Sequence, residues 1–167
     1  MDGLTSIWEY EGVIRKAILA LKYKYALEVG RELCGKFAEY IENSTYIMPK
    51  SGVLVPVPMY WHRQNVRGFN QSIEVGMSIA EFLGCKFEPN LLVRTKSTVS
   101  QVELSGDARR KNLKGVFSLS SHNSLFLIPD SVLLFDDVFT TGSTLKEACK
   151  VLKRVGVKKV WGLTIAR

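Results

Sequence analysis

The sequence predicts an α/β fold on a mainly parallel central sheet, and three observations carry that expectation. Short apolar runs at Val53–Val57 and Val132–Phe135 have the composition of strands buried on both faces of a parallel sheet. Longer stretches between them repeat apolar residues at helical spacing. The two kinds of segment alternate along the chain, as βαβ units require.

Taken in order, Val13–Lys24 carries Ile14, Ala17, Ile18 and Leu21 on one helical face, and Leu27–Ile41 carries Val29, Leu33, Phe37 and Ile41 on another. Residues 1–45 are therefore expected to form a helical N-terminal part, and 46–167 the core of the same single domain. Gly52–Pro58 reads as a buried strand closed by Pro56 and Pro58, since proline belongs at a strand's end or edge. Gln71–Leu83 is helical again, followed by a strand around Leu91–Arg94. From Arg94 to Asn112 apolar density falls and charge rises, the mark of a functional lid or of disorder. Leu125–Ile128, Val132–Phe135 and Val160–Ile165 supply further strands. Leu145, Ala148, Cys149, Leu152 and Val155 recur at helical spacing in a helix expected to end near Gly156.

A chain of 167 residues with 46% hydrophobic and 23% charged residues can bury a core without disulfides or a structural metal. Cys34, Cys85 and Cys149 are far apart, odd in number and form no CxxC pair, so they encode neither a disulfide framework nor a zinc ribbon and read as reduced, mostly buried thiols. No basic-then-apolar signal segment opens the sequence and no apolar run reaches spanning length, so a cytoplasmic protein without membrane insertion is expected. The net charge is +7. Basic residues gather at Arg94–Lys114 and at Lys146–Lys159, and such a field attracts a polyphosphate or a nucleic acid equally. The second cluster reads most simply as a solvated helix face with cations near its C-terminus.

The segment Val132–Thr144 carries the chemistry. Its apolar run delivers Asp136 and Asp137 to the carboxyl end of a strand, where open α/β sheets bind their ligands. Two neighbouring carboxylates can accept hydrogen bonds from a vicinal diol such as a ribose, or sit near a magnesium ion. Thr140, Thr141, Ser143 and Thr144 then offer hydroxyls, Gly142 lets the backbone bend close to a ligand, and the following helix aims N–H groups and its positive dipole end at an anion.

This ordered stretch resembles the motif of the type I phosphoribosyltransferases that binds 5-phosphoribosyl-1-pyrophosphate (PRPP). The resemblance implies an α/β fold of that type, its mainly parallel sheet flanked by helices, with a small N-terminal helical hood. It also implies that Thr140–Thr144 bind the 5′-phosphate of Mg-PRPP and that Asp136 and Asp137, the catalytic candidates, bind the ribose hydroxyls. The magnesium ion would be carried by PRPP rather than by dedicated protein ligands. In hypoxanthine-type salvage enzymes the first loop position is an aspartate that handles a proton of the base. Here it is Thr140, which argues against that chemistry.

A second constellation, Trp61–Gln71, holds Arg63, Arg67, Asn70 and Gln71. As residues alone these make a basic loop, although guanidinium forks and amides match the clustered oxygens of a pyrophosphate. Arg67-Gly68-Phe69-Asn70-Gln71, then Arg94-Thr95, Gln101, Leu104, Arg109, Asn112 and Phe117 ahead of the Val132–Thr144 motif, resemble the ComF family of phosphoribosyltransferase-like proteins linked to natural competence and DNA uptake. Many members carry a four-cysteine zinc ribbon ahead of this region, and none precedes it in this sequence. The expectation is either a natural loss or a truncated form, and any role assigned to the ribbon stays open. From the family, Arg63, Arg67, Asn70 and Gln71 become pyrophosphate candidates and Gln101, Arg109 and Asn112 lid candidates. Two function classes follow: a phosphoribosyltransferase acting on an unidentified acceptor, or a PRPP-responsive competence protein that binds single-stranded DNA or protein, with a homodimer also open. His62 and His122 read as solvent-facing, and Trp8, Trp61 and Trp161 as packing residues.

Overall fold

The computed structural model describes residues 1–24, 27–43, 52–59, 71–96, 114–120 and 128–167. Among them run β1 (Gly3–Trp8), α1 (Gly12–Lys24), α2 (Leu27–Asn43), β2 (Val53–Pro56), α3 (Gln71–Phe82), β3 (Lys86–Phe87), β4 (Leu92–Arg94), β5 (Phe117–Leu119), β6 (Ser131–Val138), α4 (Ser143–Arg154) and β7 (Lys159–Ala166). The central sheet has five strands in the order β1-β7-β6-β2-β3. Every pairing in it is parallel, as the continuous apolar runs of β2 and β6 require.

Alternation along the strands divides the core into two. On one face Val132 and Leu134 of β6, Val160 of β7 and Val53 and Val55 of β2 pack under Leu145, Ala148, Cys149 and Leu152 of α4. On the other, Leu133, Phe135, Leu54 and Leu163 meet Ile18 and Leu21 of α1, Leu33 and Phe37 of α2, and Val75, Ile79 and Ala80 of α3. The stripes expected at 13–24 and 27–41 thus face this core, with Ile18, Leu21, Leu33 and Phe37 buried and Ile14, Ala17, Val29 and Ile41 partly buried against them. Gly76 lets α3 lie close on the sheet, since a Cβ there would come within 3.3 Å of Phe135, Leu54 and Phe87.

The N-terminal part departs from its helical expectation, because it opens with a strand. β1 pairs in parallel with β7 from Gly3↔Trp161 to Trp8↔Ala166 and so belongs to the main sheet. Its amino end is fixed by Asp2, whose Oδ2 accepts the N–H of Val160 at 2.7 Å and pairs with Lys153 at 2.7 Å. The Lys153 ammonium and then the Val160 N–H hold the Asp2 carboxyl below the usual carboxylate range. The strand expected around Leu91–Arg94 is present as β4, and it lies outside the parallel sheet, in an antiparallel pair with β5. The expected strand at Leu125–Ile128 falls almost wholly outside the described residues.

Trp8 packs on the α1–α3 face, and Trp161 donates Nε1–H to Thr5 Oγ1 at 3.0 Å. All three cysteines are free thiols; Cys149 is buried, whereas Cys34 and Cys85 are half-buried. Burial pushes the Cys34 thiol up to about 11 and raises that of Cys85. No described helix is long and apolar enough to cross a membrane. His62, His122 and Trp61 lie outside the described residues.

Candidate functional site

The topology singles out one place on the sheet. After β2 the chain runs to α3 on one face, and after the neighbouring β6 it runs to α4 on the other. Adjacent strands that send their helices to opposite faces open a crevice at their carboxyl ends, where doubly wound sheets bind ligands. Asp136 and Asp137 sit at that switch point, beside Pro56 and Val57.

The two acids close β6, and the ladder explains their surroundings. On the β2 side pairing stops at Pro56↔Phe135, with Val57 donating N–H to Phe135 O at 2.7 Å. Beyond that point Asp137 donates its own N–H to Asp136 Oδ1 at 3.0 Å. On the β7 side pairing continues through Asp136↔Thr164 and Val138↔Ala166, and Phe139 N–H reaches Ala166 O at 2.8 Å. Successive strand residues face opposite sides, so a ligand that meets both carboxylates has to sit over the strand end. Both acids are half-exposed there.

The turn after β6 is built to hold a bend. Gly142 is the N-cap of α4 in the left-handed conformation, φ 67° and ψ 6°, and a Cβ on it would collide with the ring of Phe139. Phe139 itself packs on the α4-side core, so the apolar residue after the acids supports the loop from below. Thr141 Oγ1 lies 2.8 Å from Ser143 Oγ and accepts the N–H of Ser143 at 3.4 Å. Ser143 and Thr144, expected as loop residues, are the first two residues of the helix. Thr140 and Thr141 are exposed. The helix therefore presents its N-terminal N–H groups and positive dipole end beside these hydroxyls, a setting for an anion of phosphate size.

Of the other candidates, Gln71 is the first residue of α3, on the chain leaving β2. Arg63, Arg67, Asn70, Gln101, Arg109 and Asn112 lie outside the described residues. The flanks of the proposed lid are described: β4 and β5 pair across them, Thr95 donates N–H to Val116 O at 2.9 Å, and the Arg94 guanidinium lies 5.7 Å from the centre of the Phe117 ring. One site-side residue escaped the sequence reading. Glu147 of α4, only 8% exposed, accepts the Gly115 N–H at 2.8 Å and pairs with Lys150 at 2.8 Å. Burial pushes its carboxyl up, but the Gly115 N–H and then Lys150 outweigh that and leave it below the usual 4.5. Glu147 thereby ties α4 to Gly115, just ahead of β5. No spacing in the sequence signals it, because its partner is a backbone N–H 32 residues away.

The basic cluster at Lys146–Lys159 is partly neutralised by acids. Lys150 pairs with Glu147, Lys153 with Asp2 and Lys158 with Asp130. Among the described residues no group of three His, Cys, Asp or Glu side chains is arranged to hold a metal.

With that geometry in view, relatives settle the family. Competence protein F of Haemophilus influenzae is 42% identical over 169 aligned positions, covering 99% of this chain and 73% of that protein. The chain belongs to the competence protein F family. DNA utilization protein YhgH of Salmonella typhi is 31% identical, over 96% of this chain and 70% of that protein. No protein-family profile matches the chain. Among solved structures, the allosteric regulatory enzyme of purine biosynthesis aligns over 81% of this chain and 25% of its own at 19% identity and a TM-score of 0.48. Adenine phosphoribosyltransferase from Leishmania tarentolae aligns over 87% and 74% at 14% identity and a TM-score of 0.36.

Proposed function

We propose that the protein binds Mg-PRPP over the carboxyl end of β6 and transfers its phosphoribosyl group to an acceptor nucleophile. The observation that carries this reading is the continuity of the site. An acid pair at the switch point runs through a hydroxyl-bearing turn, bent at Gly142, into a helix N-terminus. A ribose 5-phosphate has the same order of groups: a diol for Asp136 and Asp137, then a phosphate for Thr140–Thr144. The acids and hydroxyls are hard oxygen donors, the chemistry that suits magnesium, which PRPP brings with its pyrophosphate.

In the proposed reaction the acceptor's lone pair forms a bond to ribose C1, and the bond from C1 to the pyrophosphate oxygen breaks, pyrophosphate taking the electron pair. Positive charge grows on the ribose ring between these events, and the carboxylates of Asp136 and Asp137 stabilise it electrostatically. The pyrophosphate is assigned to the segment after β2, with Arg63, Arg67, Asn70 and Gln71. Gln101, Arg109 and Asn112 are assigned to the lid that excludes water. Pyrophosphate release should appear with one member of a panel of bases and amines and vanish in Asp137→Asn. Silence across the panel, with Mg-PRPP still bound, would remove the transferase reading.

The relatives' names, a competence protein and a DNA utilization protein, support DNA uptake as the setting of a second reading, in which a non-catalytic or PRPP-responsive protein acts through single-stranded DNA or protein binding. Single-strand binding that weakens with salt, survives Asp137→Asn and falls when Arg109 and Arg110 become Ala is the outcome expected of it. Binding indifferent to those arginines would count against it. A cytoplasmic location suits both readings.

A further inference from the structure

The acid pair is backed by a row of hydroxyls that neither reading uses. In register across three neighbouring strands stand Asp136 of β6, Thr164 of β7 and Ser6 of β1. Parallel neighbours in register share a face about 4.8 Å apart, and this row lies on the α4 side, one step beyond the apolar row of Leu134, Gly162 and Leu4. The chemistry changes from hydrocarbon to hydroxyl at the position where β6 turns acidic. Thr164 is fully buried. Among the described residues Thr164 Oγ1 and Ser6 Oγ are both buried and make no hydrogen bond.

Packing alone does not account for Thr164. Valine has nearly its shape and no polar atom to desolvate, and buried hydroxyls are normally bonded. Thr5, the neighbouring buried threonine on the opposite face, follows that rule by accepting Trp161 Nε1–H. Ser131 Oγ shares the unbonded condition, but at the amino end of β6, where it faces Lys159 in register.

We propose that Thr164 is a positioning residue for Asp136. Resting on the ribose reading above, its hydroxyl donates to the Asp136 carboxylate, directly or through one water, when the site is loaded. Asp137 N–H already holds Asp136 Oδ1. A donor from the β7 side fixes the plane of the carboxylate, so that it meets the ribose diol at the correct angle. Ser6 continues the row and supplies the next link.

The test is titration of Mg-PRPP into wild type, Thr164→Val and Thr164→Ser, with thermal unfolding of each. Hydrogen bonds to charged groups are strong enough that Thr164→Val should bind Mg-PRPP about tenfold more weakly. Its melting temperature should be unchanged or higher, while Thr164→Ser keeps affinity within about twofold of wild type. Equal affinity in wild type and Thr164→Val overturns the proposal. So does a joint loss of affinity and melting temperature in both variants, which is the signature of packing. Wild type that fails to bind Mg-PRPP overturns the ribose reading itself, and with it this role for Thr164.

Discussion

The two faces of the sheet bury different things. Under α1–α3 the core is mainly aliphatic and aromatic, with Ile18, Phe37, Ile79, Leu133, Phe135 and Leu163 almost wholly inaccessible and the buried Thr5 hydroxyl bonded to Trp161. The α4 face has a comparable apolar floor, yet it also buries Glu147 and ends in the hydroxyl row beside Asp136. Polar burial of that kind costs stability, and natural sequences break local packing rules mainly where a site needs it. The α1–α3 face thus stabilises the sheet, while the α4 face gives up part of that stability in shaping its carboxyl end.

Substitutions on each face test this division. The largest effect is expected from Ile79→Ala, which should lower unfolding free energy in denaturant by about 2–5 kcal/mol. Its folded fraction should keep Mg-PRPP affinity, and a parallel loss of affinity would erase the distinction between the faces. Gly142→Ala should weaken Mg-PRPP by at least about tenfold. The positive φ there costs a side chain only about 1–2 kcal/mol in stability, though the Phe139 clash adds to it. Binding and melting curves on the same preparation compare the two losses.

Glu147→Ala leaves the Gly115 N–H without its acceptor and should cost about 1–3 kcal/mol. The pH dependence has a definite sign. Because the folded carboxyl lies below 4.5, its contribution is fully present above that pH and is lost as pH falls through the depressed folded value. In Glu147→Gln that stretch of the stability curve should flatten. The smallest effect belongs to the exposed pair Lys36–Glu39, where Lys36→Ala should change stability by under about 0.5 kcal/mol.

Much of this architecture is legible in the sequence, and what is not has a physical reason. The stripes of α1, α2 and α3 and the runs of β2 and β6 announce themselves because one periodicity dominates each. Asp136, Asp137 and Gly142 are legible because strand, acids, bend and helix follow one another locally. β1 is not: Leu4 and Ser6 share one face and Thr5 and Ile7 the other, so neither face reads as apolar, and its partner β7 lies at the far end of the chain. β4 and β5 are too short for a period to show, and their pairing spans the polar segment between them. Thr164 and Glu147 matter through register and a distant backbone N–H, which no spacing in the sequence expresses.

The proposed ribose-phosphate site is tested most directly by isothermal titration of Mg-PRPP into wild type and Asp137→Asn. One saturable site in wild type, weakened at least about tenfold in Asp137→Asn at an unchanged melting temperature, is the expected result. No binding to wild type, or equal binding to both proteins, would contradict it.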